Sequence, residues 1–148
     1  MIPAFRAATT QTARALEIVR MVLVLLVFFG LLMYPVELFL IGHWIPENVR
    51  SLIPFLLTVP ALVVSAWIYF DRSAPWLRVT YIVVMWLLVA TGVLGAYYHW
   101  IYNMADASGI AWNFTYAMEN FHGYRPILAA LAYTNMGVTG LACIYRAR

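Results

Sequence analysis

Four long apolar runs constrain this chain more than any other feature of its sequence. They are Met21–Ile41, Leu52–Phe70, Val79–Trp100 and Ile127–Tyr145. A helix of about 20 residues crosses the roughly 30 Å hydrocarbon core of a bilayer. Lipid offers no partner to an unpaired backbone group, so a spanning run is expected to be helical. The sequence therefore predicts an all-α fold, a single domain over residues 1–148 that forms a bundle of four transmembrane helices.

Composition excludes several other classes of protein. Hydrophobic residues make up 65% of the chain and charged residues 10%, whereas a soluble domain has about 45–50% and about 25%. A soluble globule, a disordered chain, a coiled coil and a nucleic-acid-binding domain are all excluded on this ground. The single cysteine, Cys143, cannot form an internal disulfide, which argues against a thiol–disulfide oxidoreductase.

The arginine residues predict the orientation of the bundle. The chain has nine Arg and no Lys. Seven Arg lie before the first run, between the second and third runs, or after the fourth: Arg6, Arg14, Arg20, Arg72, Arg78, Arg146 and Arg148. The segments on the other side hold only Arg50 and Arg125. The positive-inside rule then predicts cytoplasmic N and C termini for a multi-pass protein of the bacterial inner membrane.

Local signals predict further structural details. The segment up to Val19 is mildly amphipathic and is expected to lie along the inner surface, with Thr9 or Thr10 as its helix cap. The long outer connection is rich in aromatic residues, which indicates a short interfacial helix over residues 110–121. Gly and Ala residues in the third and fourth runs predict close packing of these two helices. Thr134 and Asn135 are expected to face the bundle.

All three histidines, His43, His99 and His122, are predicted to lie toward the outer side. Glu37 and Glu119 belong to the same side. Glu37 is expected a few ångströms inside the hydrocarbon edge, where a charged carboxylate is costly. It is either a ligand- or proton-binding group or a structural hydrogen-bond partner of Arg50, Tyr98 or His99.

These residue types suit several bound groups. A mononuclear zinc, copper or iron site can be drawn from His43, His99 and His122 with Glu37 or Glu119, and Glu119-x-x-His122 has the spacing of a ligand pair on one helix face. His43 and His99 could instead ligate a haem or another tetrapyrrole, or the outer face could hold a quinone. Tyr98 and Asn103 complete the predicted cofactor-binding set. The plainer alternative is that interfacial histidines only form hydrogen bonds.

Four stretches resemble a family of small four-helix bacterial membrane proteins that has no assigned function. They are ELFLIGHW (37–44), SLIPFLL (51–57), GVLGAYYHWIYN (92–103) and RPILAALAYTNMGVTGL (125–141). The family pattern maps onto Glu37, Gly42, His43, Pro54, His99, Asn103, Glu119 and Pro126. The resemblance implies the four-helix fold and a shared set of outer-side polar residues, and it implies no reaction.

Three functions follow as hypotheses. The first is a non-catalytic accessory or assembly subunit of a larger respiratory, photosynthetic or other redox membrane complex, partnered by other subunits or by further copies of itself. The alternative is an outer-face protein that binds a metal, haem or quinone through His43, His99 and Glu37. The third is an oligomeric channel or transporter. The sequence contains no Ser, His and Asp set with flanking glycines and no phosphate loop, which argues against an enzyme.

Overall fold

The computed structural model describes residues 9–71, 73–106, 118, 125 and 127–145. The described chain is helical and contains no strand. It forms α1 (Gln11–Leu40), α2 (Val49–Phe70), α3 (Pro75–Asp106) and α4 (Ile127–Ile144). All four helices are long and apolar enough to cross a membrane. The prediction of an all-helical, multi-pass membrane fold is therefore confirmed, while the interfacial helix predicted over residues 110–121 lies outside the described residues.

Helix α1 begins about ten residues before the first apolar run. Thr10 caps it, with its hydroxyl accepting a hydrogen bond from the Ala13 N–H at 3.1 Å. Residues 11–19 are thus continuous with the span, and for this described part the prediction that the segment lies along the inner surface is wrong. The predicted cap at Thr10 is confirmed. No Gly or Pro interrupts the chain between Gln11 and the apolar run, so nothing in the sequence ends the helix there. Its 30 residues extend about 45 Å at 1.5 Å per residue.

The helices are arranged in a ring in which α1 contacts α2 and α4, and α3 contacts the same two helices. The most extensive contact joins α3 and α4. A Cβ atom at Gly137 would lie 2.5 Å from the Met85 carbonyl oxygen, and one at Gly92 would lie 2.5 Å from the Thr134 nitrogen. Only glycine permits such an approach of two backbones. The predicted close packing of the third and fourth helices is confirmed.

Thr134 and Asn135 point in different directions. The Thr134 hydroxyl donates to the Val89 carbonyl of α3 at 3.3 Å, as expected for a bundle-facing residue. Asn135 is exposed on the outer face of α4, so its predicted inward orientation is wrong. Successive helical residues differ by about 100° in direction, and the side of α4 that contacts α3 is occupied by Thr134.

The two ends of the bundle have different character. At one end, the Arg20 guanidinium donates to the Tyr145 carbonyl at 2.8 Å, which places the first turns of α1 beside the last turn of α4. We call this the terminal end. At the other end, the connection between α1 and α2 lies near the last turns of α3, and both His43 and His99 are there. We call this the histidine end.

Candidate functional site

A tight turn after α1 positions His43. Gly42 has a φ of 73°, a left-handed conformation that L residues with a side chain rarely adopt. The Gly42 N–H bonds to the Phe39 carbonyl at 3.1 Å, and the His43 N–H bonds to the Leu38 carbonyl at 2.9 Å. These two bonds form a Schellman motif. The motif ends α1 and directs the chain so that His43 contacts α3.

The rest of the α1–α2 connection is held by Ser51. The Ser51 side chain is buried, and its hydroxyl lies 2.8 Å from the carbonyl oxygens of both Ile45 and Asn48. Asn48 in turn caps α2, since its side-chain oxygen accepts from the Arg50 N–H at 3.1 Å. The connection is therefore tied to the first turn of α2 by several hydrogen bonds.

His43 and His99 form a pair at this end of the bundle. Their ring centroids lie 5.9 Å apart, with the ring planes at 56°. Partial burial, and secondarily the electrostatic effect of His99, lower the pKa of His43 below its ordinary value of 6.5. Both causes disfavour the imidazolium form. His43 is therefore predominantly neutral at pH 7, the form in which imidazole binds metals.

Two arginines and two tyrosines form a stack next to the pair. The Arg50 guanidinium carbon lies 4.9 Å from the centre of the Tyr98 ring, and Arg50 Nη1 donates to the Tyr102 hydroxyl at 3.1 Å. The Tyr98 and Tyr102 rings stack at 6.3 Å, and the Arg125 guanidinium carbon lies 5.1 Å from the Tyr102 ring centre. These cation–π and stacking contacts fix the last turns of α3 against α2 and against the segment that enters α4.

Asn103 holds the entry to α4. Its side chain is buried. Its amide nitrogen donates to the Arg125 carbonyl at 2.9 Å, and its amide oxygen accepts from the Arg125 N–H at 3.1 Å. This two-point contact satisfies the backbone N–H and the backbone C=O of one residue, Arg125. Of the residues predicted to bind a cofactor, Asn103 is thus engaged with the backbone, and Tyr98 is part of the stack.

Glu37 does not join the histidine pair. Its side chain is exposed, and the structure shows none of the expected hydrogen bonds to Arg50, Tyr98 or His99. Within the described part of the chain, no three His, Cys, Asp or Glu side chains are close enough to hold a metal ion. The other two predicted metal ligands, Glu119 and His122, lie outside the described residues.

A buried ion pair at the terminal end is a feature that the sequence analysis did not identify. Arg20 and Glu17 are bonded at 2.6 Å, and both side chains are largely buried. Arg20 also donates to the carbonyl of Tyr145, the residue directly after α4, where a positive charge is favourable to the helix dipole. The sequence signal that could have found this pair is the i,i+3 spacing of Glu17 and Arg20.

Two shallow grooves lie on the sides of the bundle, among the described residues. The larger, of about 350 Å³, runs between α1 and α2. Its lining is apolar and consists of Pro35, Val36, Phe39, Leu40, Trp44 and Phe55. The second groove lies between α2 and α3 and is also almost entirely apolar. Neither groove brings polar groups together, which is what a small-molecule site usually requires.

Comparisons with known proteins found no match to this chain among protein-family models, curated proteins or solved structures. The resemblance seen in the four sequence stretches therefore remains an expectation.

Proposed function

We propose that this chain is a multi-pass membrane protein that binds a divalent transition-metal ion at the histidine end, with His43 and His99 as ligands. The observation that carries the proposal is the 5.9 Å separation of the two ring centroids. The two histidines come from different elements, α3 and the α1–α2 connection, and are 56 residues apart in the sequence.

The separation of the rings suits a shared ion. A zinc–imidazole bond is about 2.1 Å long, which puts the ion about 3.2 Å from the ring centroid. Two ligating rings then have centroids about 5.2 Å apart at a tetrahedral angle and about 6.4 Å apart when opposite. The observed separation lies between these values. Imidazole is a good ligand for zinc, copper and nickel.

Two imidazoles supply two of the four ligands of a tetrahedral metal site. We propose Glu119 and His122 as the further ligands, with water in any position left open. A carboxylate would also offset the positive charge of Arg50 and Arg125 at this end of the bundle. A metal ion is favoured over a haem or quinone because an ion needs no large cavity, and the grooves in the described part of the chain are shallow and apolar.

The test is metal binding by the purified protein in lipid nanodiscs. Zn²⁺ content is measured by elemental analysis after dialysis, and affinity by competition with a chelator. We expect one ion per chain, and we expect His43→Ala and His99→Ala each to weaken binding by about tenfold or more, since even second-shell changes cost that much. Tyr97→Phe is the matched control, an exposed aromatic residue of α3 that offers no imidazole.

Two results would contradict the metal-binding function. One is a Zn²⁺ content far below one ion per chain in the wild-type protein. The other is a Zn²⁺ affinity that is as high in His43→Ala and in His99→Ala as it is in Tyr97→Phe. The same measurement on Glu119→Gln and His122→Ala then shows whether these residues contribute the other two ligands.

We further propose that the terminal end faces the cytoplasm of a bacterial cell and that the histidine end faces outward across the inner membrane. The arginine distribution supports this orientation. A fluorescent protein fused after Arg148 is expected to fluoresce, and alkaline phosphatase inserted after Glu47 is expected to be active. The reverse pattern would place the histidine end in the cytoplasm.

A second candidate is the accessory-subunit function in a larger membrane complex. A separate observation favours it, since Asn135 exposes a polar side chain in the middle of a membrane-spanning helix. Polar groups at such positions commonly bond to neighbouring helices. The cross-linking experiment described below distinguishes a foreign subunit from a second copy of this chain.

A further inference from the structure

Helix α4 exposes a continuous stripe of side chains along its outer face. The stripe, which we call the α4 seam, consists of Leu128, Leu131, Asn135, Val138, Ala142 and Tyr145, all of them exposed. Their spacing alternates between three and four residues, which is the heptad pattern of two helices that pack along their length. The opposite face of α4 is already packed against α3 and α1.

Asn135 lies at the centre of this seam. It is ten residues from Arg125, at the histidine end, and ten from Tyr145, at the terminal end. Within α4 it lies eight residues after Ile127 and nine before Ile144, about 12–14 Å from each end at 1.5 Å per residue, which is the middle of the span. No described residue forms a hydrogen bond with its side chain, and the side chain is exposed. An amide in hydrocarbon without a partner is costly.

We propose that the α4 seam pairs with the α4 seam of a second copy of this chain. The two helices run parallel, and Asn135 of each copy donates a hydrogen bond to the Asn135 amide oxygen of the other. Apolar seam residues on either side of Asn135, such as Leu131 and Val138, interdigitate with their counterparts.

The seam specifies a second copy because it is complementary to itself. Two copies inserted in the membrane with the same orientation place each seam residue at the same depth as its counterpart. An asparagine amide has both donors and an acceptor, so two of them can satisfy each other. A single asparagine at such a heptad position also sets the register and number of helices in coiled coils. Parallel pairing about a twofold axis requires this self-matching surface.

Cysteine cross-linking in native membranes tests this pairing. The natural Cys143 is first replaced by Ala, and single cysteines are introduced as Val138→Cys in the seam or Val63→Cys in α2. The two valines are matched, since both are exposed, at 54% and 56%, and they lie six and seven residues before the last residue of their helices. Oxidation is expected to convert Val138→Cys, and not Val63→Cys, into a species of twice the monomer mass.

A second variant tests the role of the amide. Asn135→Leu should fold normally, because the side chain has no hydrogen bond within the described chain and leucine is favoured in lipid. We expect it to weaken the dimer about tenfold, as measured by energy transfer between labelled copies diluted in liposomes, which is the effect of an interhelical hydrogen bond of about 1–2 kcal/mol. Val63→Leu is expected to leave the dimer unchanged.

Three results would overturn the pairing of two copies. Val138→Cys could remain monomeric, or Val63→Cys could cross-link equally well, which would show random collision. Val138→Cys could instead form a product with a different polypeptide, which would assign the seam to a foreign subunit. The outcome is independent of metal binding, since neither histidine lies in the seam.

Discussion

At the scale of single residues, uncharged polar side chains form hydrogen bonds that hold the described helices together. Asn103 binds both peptide groups of Arg125, and the Thr58 and Tyr133 hydroxyls lie 3.0 Å apart between α2 and α4. Each of these side chains is buried. A buried polar group that loses its partner costs the full desolvation energy, so these contacts specify which helices meet and at what height.

Asn103→Leu is expected to lower the stability of the protein. The substitution leaves the Arg125 N–H and carbonyl without their side-chain partner, at a cost of about 1–3 kcal/mol. Thermal unfolding in detergent, at a dilution that keeps the chain monomeric, measures the change. Asn135→Leu is the control, and it is expected to leave the midpoint unaltered. Equal stability of the two variants would show that the Asn103 contact does not contribute to the fold.

The pKa of His43 makes the proposed metal site dependent on pH. Burial and His99 lower this pKa below 6.5. A metal ion binds the neutral imidazole ring, so protonation of the ring competes with metal binding. Zn²⁺ affinity should therefore change little through protonation of His43 between pH 8 and 7, and fall as the pH drops through the lowered pKa of His43, which lies below 6.5. Titration of affinity against pH measures this, with His43→Ala as the control. A wild-type profile identical to that of His43→Ala would remove His43 from the site.

At the scale of secondary-structure elements, the contact between α3 and α4 depends on glycines of unequal importance. A Cβ at Gly137 would lie 2.5 Å from the backbone oxygen of Met85, whereas one at Gly95 would lie 3.1 Å from the Ala130 Cβ. The first contact cannot relax without moving a helix, because it involves backbone. The second needs only a small adjustment between two methyl groups.

Gly137→Ala is expected to destabilise the protein by about 1–3 kcal/mol, the usual cost of overpacking. Gly95→Ala should be close to neutral, because the strain is offset by the better helix propensity of alanine, about 1 kcal/mol. Thermal unfolding of the two variants in the same detergent compares them. A more severe effect at Gly95 than at Gly137 would contradict the described packing of α3 on α4.

The elements were predictable where one physical requirement dominates. A long apolar run in lipid has to be helical, and small residues permit two helices to approach, so the four spans and the α3–α4 contact followed from the sequence. The cap at Thr10 also followed from the sequence, but the continuity of residues 11–19 with the span did not, because a helix continues past the membrane boundary until a residue ends it. The direction of Asn135 did not either, since both Thr134 and Asn135 are polar and the sequence does not show which side of α4 contacts α3.

At the scale of the whole molecule, an ion pair and a histidine pair lie at opposite ends of the bundle. The terminal end is joined by Arg20, Glu17 and Tyr145, and the histidine end contains His43 and His99. The gathering of these two histidines on one side was predictable from the spans alone. Their pairing was not, because it depends on the turn at Gly42, and the separation of Glu37 from the pair depends on the direction in which the last turn of α1 faces.

The most direct test of the metal-binding function is electron paramagnetic resonance of the Cu²⁺-loaded protein in nanodiscs. Pulsed measurements detect nitrogen of imidazoles bound to the ion. The signal is expected to show at least two imidazole ligands in the wild-type protein. We expect one imidazole ligand fewer in either His43→Ala or His99→Ala, and an unchanged number in Tyr97→Phe. A wild-type spectrum without imidazole nitrogen, or one that neither histidine substitution alters, would contradict the proposal.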